Sequence, residues 1–325
     1  MSELVFDEVS VHYGHRRTGL TAVEGVSLKV PSGAVVGLVG ESGSGKSTLA
    51  KAAVGLAPIT AGSVTLGGKD VRELARRKHR PLQMVFQDPY SSLDPRMSIG
   101  ESIIEAMPKG AFPSGAARRA EVGRLLELVN LDPDRAAMLP GQFSGGQRQR
   151  IAVARALAGR PEVVIADEIT SALDVSVQGA VLNLVRGLQR QLSLGMLFIS
   201  HNLAVVRYVS DYIAVMYLGR LVEMGPAQQV LTDPQHPYTQ QLLAAAPSRD
   251  TPMFTSETDL AEATTAVEPP DPHHPPTGCR YHLSCPIGPN THPDRQICIT
   301  EDPTAGARNR PHRAACHFTG DLIAR

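Results

Sequence analysis

One eight-residue segment has the composition and spacing of a loop that binds nucleotide phosphates. It reads Gly40-Glu-Ser-Gly-Ser-Gly-Lys-Ser47 and fits the pattern G-x-x-x-x-G-K-[ST]. The glycines would let backbone N–H groups converge on phosphate oxygens at the positive end of the following helix. Lys46 would reach the β- and γ-phosphates, and the Ser47 hydroxyl would bind Mg²⁺. A chance match in a glycine-rich chain is the alternative, but the predicted strand before the segment and the predicted helix after it favour the phosphate loop.

An acidic pair follows a second apolar run. In Val163-Val-Ile-Ala-Asp-Glu168, a strand buried on both faces would carry Asp167 to the metal end of the nucleotide, with Glu168 beside it. Asp167 would bind Mg²⁺ through water, and Glu168 would orient or deprotonate the attacking water. The same pair could instead cap an ordinary helix. The phosphate loop in the same chain favours the hydrolytic interpretation.

A third segment, Phe143-Ser-Gly-Gly-Gln147, leads into a predicted helix and offers a second anion site at a helix N-terminus, unless it is a chance Ser-Gly-Gly turn. Here the chain resembles the ABC (ATP-binding cassette) ATPase family, whose signature is Leu-Ser-Gly-Gly-Gln, with Phe143 in place of the leucine. In that family the signature contacts ATP held by the phosphate loop of a partner ATPase. Two ATP molecules are thereby sandwiched between two subunits.

The resemblance implies the other residues of the site. Tyr13 matches the aromatic residue that stacks on adenine. The alternative is a tyrosine that lies on a strand face without binding a ligand. Gln87 matches the glutamine that touches Mg²⁺ and water, and His201 matches the histidine on the γ-phosphate, although an isolated histidine after a strand is usually structural. The implied catalytic residues are Glu168, His201 and Gln87, and the Mg²⁺ ligands are Ser47, Gln87 and Asp167. The nucleotide-binding residues are Tyr13, Gly40, Ser42, Gly43, Gly45, Lys46, Ser47, Thr48, Ser144, Gly145, Gly146, Gln147 and Asp174.

One position departs from the family pattern. Proline commonly follows the catalytic glutamate, whereas this chain has Ile169. The change removes a constraint on the loop but no catalytic group. A hydrolysis-competent site is therefore still expected, with the placement of Glu168 as the point to check.

Four further segments resemble one group of the family, the oligopeptide, dipeptide and nickel importers. They are Phe86-Gln-Asp-Pro-Tyr-Ser-Ser-Leu-Asp-Pro-Arg-Met97, Ser171-Ala-Leu-Asp-Val-Ser-Val-Gln178, Val215-Met-Tyr-Leu-Gly219 and His236-Pro-Tyr-Thr239. The last of these resembles the start of that group's C-terminal extension and precedes an apolar helix predicted at residues 242–246. The resemblance implies an ATPase that drives uptake of di- or oligopeptides. Nickel or another small solute is the alternative cargo, and a soluble ABC ATPase is a more distant alternative, because such chains usually carry a long coiled-coil insert or two cassettes.

The same resemblance implies partners. The sequence after Gln87 is most similar to the second of two related ATPases that form a heterodimer in such importers, with a homodimer as the alternative. Two membrane permeases would dock near Gln87 and the helical insert, and an external substrate-binding protein would deliver the cargo. The chain itself would not touch the cargo and would lie at the cytoplasmic face of the membrane.

Hydrophobic periodicity predicts the elements that position these residues. Alternating apolar residues in the first thirty positions predict antiparallel strands, and the apolar runs at residues 34–39, 163–166 and 196–199 predict buried parallel strands. We expect an α/β fold, a P-loop NTPase of the ABC type with a RecA-like core, an antiparallel β subdomain and a helical subdomain at about residues 88–146. The cassette would span residues 1–235, the extension and a Pro-rich linker residues 236–276, and a small cysteine-containing tail residues 277–325.

Composition limits the alternatives. Lys and Arg number 32 and Asp and Glu number 32, so no overall field favours nucleic acid or anionic lipid. The first residues lack the basic-then-apolar order of a signal peptide, and no apolar run approaches the ~18 residues of a membrane-spanning helix. Contact with a membrane would therefore come through partners.

All four cysteines lie in the tail, at Cys279, Cys285, Cys298 and Cys316. Four thiolates suit either an iron–sulfur cluster or Zn²⁺, and the spacing matches no common zinc pattern. We expect a 4Fe-4S cluster, with Zn²⁺ and free or disulfide-bonded thiols as alternatives. Three tail histidines could replace a ligand but, as surface residues of a polar segment, are expected to be bystanders: His282, His312 and His317.

Overall fold

The structure is a computed structural model, and it describes residues 2–14, 19–74, 81–88, 92–171, 173–245, 271, 273–303 and 311–319. The strands are β1 (Leu4–Tyr13), β2 (Leu20–Val30), β3 (Val35–Val39), β4 (Ala61–Leu66), β5 (Lys69–Asp70), β6 (Leu82–Val85), β7 (Val163–Asp167), β8 (Gly195–Ile199), β9 (Tyr212–Tyr217), β10 (Arg220–Pro226) and β11 (Arg313–Ala314). The helices are α1 (Lys46–Ala53), α2 (Val71–Leu74), α3 (Ile99–Ala106), α4 (Gly115–Leu128), α5 (Gly145–Ala158), α6 (Val175–Leu192), α7 (Leu203–Val209), α8 (Ala227–Thr232), α9 (Pro237–Ala245) and α10 (Ile297–Thr300). Most of the predicted linker lies outside the described residues.

A seven-stranded sheet forms the centre of the molecule, in the order β11-β10-β9-β3-β8-β7-β6. The five strands from β9 to β6 are parallel. Every residue of β3, β7 and β8 is buried. Because parallel strands are covered on both faces, a continuous apolar run is what this position requires. The three predicted buried strands are therefore confirmed, to within a residue at each end.

A second, antiparallel sheet has the order β2-β1-β4-β5. Apolar residues of its first two strands, such as Leu4 and Phe6, are almost fully buried and alternate with less buried ones. This alternation is the pattern of a sheet with one face on the core. The antiparallel subdomain expected from the first thirty residues is confirmed, and β4 and β5, which the sequence did not indicate, extend it.

The helical insert contains α3 and α4, followed by 3₁₀ turns at Pro133–Ala137 and Pro140–Gln142. Helix α3 begins with a capping box between Ser98 and Glu101. The helix predicted to follow the Phe143–Gln147 segment begins within it, at Gly145. A second capping box, between Ser144 and Gln147, explains the early start because it satisfies free N–H groups of the first turn. Two glycines of the signature therefore lie inside the helix.

The C-terminal elements differ from expectation in two respects. The helix predicted at residues 242–246 begins at Pro237, so the Pro-Tyr-Thr of the His-Pro-Tyr-Thr segment forms its first turn, where proline is favoured. Strand β11 of the tail pairs with β10 and extends the central sheet. The expectation that the tail histidines lie on the surface is wrong for His282, which is only 6% exposed. It is also wrong for His312, whose half-buried ring binds the Glu223 carboxylate at 2.8 Å.

Among the described helices, none combines the length and the hydropathy that crossing a bilayer would require.

Candidate nucleotide-binding and catalytic site

The predicted phosphate loop joins the end of β3 to the start of α1. Gly40 and Gly45 adopt positive φ angles of 153° and 98°. A Cβ on Gly40 would lie 2.2 Å from the Met216 carbonyl oxygen, and one on Gly45 would lie 2.3 Å from the Ala22 carbonyl oxygen. Both approaches are closer than any side chain tolerates. Glycine is therefore required at these positions to seat the loop against β9 and β2.

Lys46 is folded over the centre of this loop. Its Nζ donates to the carbonyl oxygens of Gly40 at 2.8 Å and Glu41 at 2.7 Å. Burial lowers the pKa of the ammonium group, an effect that the nearby carboxylates of Glu168 and Asp167 oppose. The positive charge thus lies in a low-dielectric position where it would act strongly on phosphate oxygens.

The two main predicted Mg²⁺ ligands are adjacent. The Ser47 hydroxyl donates to Asp167 Oδ1 at 2.9 Å, and Asp167 is 3% exposed. Burial raises the pKa of this carboxyl, and the Ser47 hydrogen bond opposes that rise. A hydroxyl and a carboxylate oxygen are ligands that Mg²⁺ accepts. The pair therefore fits a magnesium ion at the end of the loop.

The three predicted catalytic residues come together at one edge of the central sheet. Gln87 Nε2 donates to Glu168 Oε2 at 2.9 Å, and His201 Nδ1 lies 3.3 Å from Glu168 Oε1. The residues follow the carboxyl ends of β6, β7 and β8, which meet at one edge because the strands are parallel. The carboxylate is thus held by two side chains, as a general base must be held to receive a proton from water.

Glu168 has a left-handed backbone, with φ of 46°, and its N–H donates to the Ile199 carbonyl oxygen at 3.0 Å. The next residue, Ile169, is 2% exposed and belongs to the main apolar core. Packing of the Ile169 side chain and the hydrogen bond to β8 together stabilise the left-handed backbone conformation of Glu168. Ile169 therefore anchors the segment that proline would otherwise stiffen.

Replacing Ile169 with alanine is expected to lower the free energy of unfolding by about 2–5 kcal/mol, since a buried isoleucine leaves a cavity. Denaturant unfolding of both proteins measures the loss. The matched control is Leu56→Ala, at a position that is 61% exposed, where we expect a change within about 0.5 kcal/mol. Equal losses in the two variants would show that Ile169 does not anchor the segment.

A cleft connects the phosphate loop with Gln87 and Glu168, whereas Gly40, Asp167 and His201 do not belong to its lining. Fourteen described residues line it: Tyr13, Leu20, Thr21, Ala22, Ser42, Gly43, Gly45, Lys46, Ser47, Thr48, Gln87, Glu168, Leu218 and Gly219. Tyr13 is 37% exposed at its mouth, where a ring is free to stack on a base. The lining residues from β2 and from the turn after β9 were not predicted from the sequence. The Gly219 N–H donates to the Ser44 carbonyl oxygen at 2.9 Å, so that turn supports the phosphate loop directly.

The residues of the Ser-Gly-Gly-Gln signature lie outside this cleft. The Ser144 hydroxyl accepts from the Gln147 N–H at 3.4 Å, and a Cβ on Gly146 would lie 2.3 Å from Val177 Cγ1. Asp174 is exposed at the start of α6. Within the described chain, Ser144, Gly145, Gly146, Gln147 and Asp174 do not line the cleft. One copy of the chain therefore holds two separate groups of the predicted nucleotide-binding residues.

Two family models match this chain. Residues 23–171 match the family model described as ABC transporter, and residues 222–290 match the one described as oligopeptide/dipeptide transporter, C-terminal region. The di/tripeptide transport ATP-binding protein DppF of Pseudomonas aeruginosa is 42% identical over 314 residues, which cover 95% of this chain and 93% of that relative. The chain belongs to the ABC transporter family. As an ABC ATPase, it binds ATP with Mg²⁺ and hydrolyses it.

Solved structures show the same cassette fold. A dimeric bacterial ABC transporter cassette is 28% identical, with a TM-score of 0.61 over 69% of this chain and 98% of its own. The cbiO1 protein of Clostridium perfringens, part of an ABC transporter complex, gives the same TM-score over 70% of this chain and 89% of its own, and at 24% identity it shows the fold alone. The resemblance found in the sequence is thereby confirmed.

The ABC ATPase also carries four free thiols in its tail. Burial is the main cause that raises their pKa values, to about 12 for Cys279 and about 11 for Cys316, and neighbouring thiols add to the rise for these two and for Cys285. The Phe318 backbone N–H donates to Cys316 Sγ at 3.4 Å. Over the described residues, no three His, Cys, Asp or Glu side chains form a group that could hold a metal ion as they stand.

Proposed function

We propose that this ABC ATPase drives the import of di- and oligopeptides. The observation that carries the proposal is the C-terminal match to the oligopeptide/dipeptide transporter region, on a chain whose phosphate loop, Gln87 and Glu168 line one cleft. The His-Pro-Tyr-Thr segment lies within that region and forms a buried part of the fold, since His236 and Tyr238 are each 1% exposed. The name of the Pseudomonas aeruginosa relative points to the same cargo.

In the proposed mechanism, the residues of the site have distinct roles in binding and hydrolysis. The phosphate loop and Lys46 bind and orient the phosphates. Ser47 and Asp167 would hold Mg²⁺, which would supply positive charge to stabilise the phosphate oxygens. Glu168 accepts the proton of the attacking water at a carboxylate oxygen. Gln87 and His201 orient this carboxylate through the contacts described above, and Tyr13 stacks on the adenine.

The separated signature supports a dimer. Ser144, Gly145, Gly146, Gln147 and Asp174 would reach the nucleotide of a second ATPase, and we propose that this partner is an unlike ATPase rather than a second copy. Co-expression of a tagged and an untagged copy with an unlike ATPase of the same genome tests the choice. Recovery of the unlike chain with the tag supports the heterodimer, whereas recovery of the untagged copy alone contradicts it.

A groove beside the catalytic edge supports docking of permeases. It runs between the helical subdomain and the core, and its lining includes Phe86, Glu105, Met107, Lys109 and Arg155. Phe86 immediately precedes Gln87, so a membrane subunit seated there would sense the state of the site. The protein would thus lie at the cytoplasmic face of the membrane, with two permeases and an external substrate-binding protein as partners.

Cargo is tested by uptake of labelled tripeptide and labelled nickel in cells that lack the gene and carry it on a plasmid. We expect tripeptide uptake to depend on the plasmid and to fall when unlabelled peptide is added. Plasmid-dependent uptake of nickel alone would replace the peptide assignment. Tripeptide uptake that is the same with and without the plasmid would contradict it.

We also retain the proposed division into a cassette at residues 1–235, an extension and linker at 236–276 and a tail at 277–325. The tail packs on the cassette through β11 and through His312, as described above. It would therefore work as an attached cap rather than as a free unit.

The tail is further proposed to hold a 4Fe-4S cluster on Cys279, Cys285, Cys298 and Cys316, with Zn²⁺ as the alternative. The presence of four free thiols in one short tail supports the proposal. So does the Phe318 backbone N–H that donates to Cys316 Sγ, because such a donor stabilises a thiolate, the form that binds metal. The group would cross-link a segment that has few core residues of its own.

Replacing Cys298 with serine is expected to abolish iron binding, since one of four ligands is lost. Protein purified without oxygen should contain about four iron atoms per chain before the change and little after it, as measured by metal and sulfide analysis. His317→Ala is the control and should keep the iron. Zinc in place of iron would support the alternative, and the absence of both metals would contradict either assignment.

A further inference from the structure

Four aromatic side chains form a cluster between the C-terminal extension and the phosphate loop. The ring centroids of Tyr217 and Tyr238 lie 4.7 Å apart, those of Tyr238 and Tyr281 5.5 Å, and those of His236 and Tyr281 5.8 Å. These distances are typical of packed aromatic pairs. Tyr217 ends β9, whose Val215 pairs with Val39 immediately before the phosphate loop. The cluster therefore joins the extension, the tail and the strand beside the loop.

One member of this cluster contacts the phosphate loop through a hydrogen bond. The Glu41 backbone N–H donates to the Tyr238 hydroxyl oxygen at 3.0 Å. The carbonyl oxygen of the same residue accepts from Lys46 Nζ at 2.7 Å and from the Ser44 N–H at 3.2 Å. Glu41 is thus held from outside by the extension and from inside by the lysine that would meet the phosphates.

The support for Tyr238 is itself fixed. The Tyr238 N–H donates to His236 Nδ1 at 3.1 Å, and the Glu223 carboxylate accepts from the Gln235 and His236 N–H groups at 2.8 and 2.9 Å. Glu223 is 1% exposed. Burial raises the pKa of the Tyr238 phenol, so the hydroxyl stays neutral over the physiological range. A neutral hydroxyl on a rigid element is suited to position a backbone segment.

We propose that Tyr238 is a positioning residue for nucleotide binding. Its hydroxyl fixes the first half of the phosphate loop through the Glu41 N–H, so the C-terminal extension holds the loop in the conformation that accepts phosphates. The residue does not touch the nucleotide. Its loss would weaken ground-state and transition-state binding alike, which changes KM more than kcat.

Tyr238→Phe tests the proposal, because it removes the hydroxyl and keeps the ring. We expect about fivefold weaker binding of ADP to the full-length chain by calorimetry, the effect of one neutral hydrogen bond. The KM for ATP should rise by a similar factor while kcat stays close to that of the parent. Hydrogen–deuterium exchange at the Glu41 amide should become faster.

Tyr281→Phe is the matched control. It removes the same hydroxyl from the neighbouring ring, where the group donates to Gln241 Oε1 and not to the phosphate loop. ADP affinity and Glu41 exchange should be unchanged in this variant. Unchanged ADP affinity in Tyr238→Phe would overturn the proposal. Equal weakening in both variants, in step with their melting temperatures, would also overturn it, because the cluster would then act only through stability.

Discussion

ATP hydrolysis is expected to fall about 10²–10⁴-fold when Glu168 is replaced by glutamine, because the general base is lost. Glutamine has nearly the same shape and can still contact Gln87 and His201, whose side chains hold the carboxylate in the present structure. It cannot accept the proton of the attacking water. Binding of ATP should therefore persist, and phosphate release from a single turnover measures the loss of the chemical step alone.

Glu162→Gln supplies the control for this variant. Glu162 is exposed and precedes β7, the strand whose other end leads to Glu168. The substitution makes the same change of charge at the far end of the same strand, and we expect hydrolysis at the parent rate. A Glu168→Gln protein that hydrolyses ATP as fast as the Glu162→Gln protein would show that Glu168 is not the base.

Replacing Lys46 with methionine is expected to lower the rate of hydrolysis at least about 10²-fold, the cost of removing one preorganised donor from a transition-state charge. Nucleotide affinity should fall as well, since the ammonium group would contact phosphate in the ground state. Initial rates over a range of ATP concentrations, with direct titration of ADP, separate the two effects.

Lys51→Met is the matched control for Lys46→Met. Lys51 is exposed on the same helix, α1, one and a half turns further along. Loss of the same charge there should leave the rate and the affinity near the parent values. If Lys51→Met were as damaging as Lys46→Met, the effect would come from the general field of the helix rather than from a phosphate contact.

The catalytic edge of the sheet was predictable from sequence because its signals are local. The phosphate loop is a contiguous pattern, and Glu168 and His201 each follow an apolar run of strand length. Parallel strands meet at their carboxyl ends, so the two predicted runs that precede Glu168 and His201 bring these residues to one edge. Gln87 was identified by the resemblance alone, since strand β6 before it was not predicted. The resemblance to the ABC family supplied their roles, and the described geometry is compatible with them.

The remaining parts of the site depend on contacts between distant segments, which no local pattern encodes. Gly219 supports the loop through a single backbone hydrogen bond, and Ala22 does so through the close approach of its carbonyl oxygen. Strand β11 has two residues, too few for a period, and exists because the edge of β10 offers free backbone groups. His312 is half-buried because its ring contacts the carboxylate of Glu223, a residue distant in sequence. These contacts could be identified only from the folded structure.

The most direct test of the account measures labelled tripeptide uptake in cells whose only copy of the gene carries Glu168→Gln. We expect tripeptide uptake to be lost, the protein to remain at the membrane with its partners, and cells carrying Glu162→Gln to take up tripeptide normally. Tripeptide uptake at the parent rate in the Glu168→Gln cells would show that hydrolysis in this cleft does not drive peptide import.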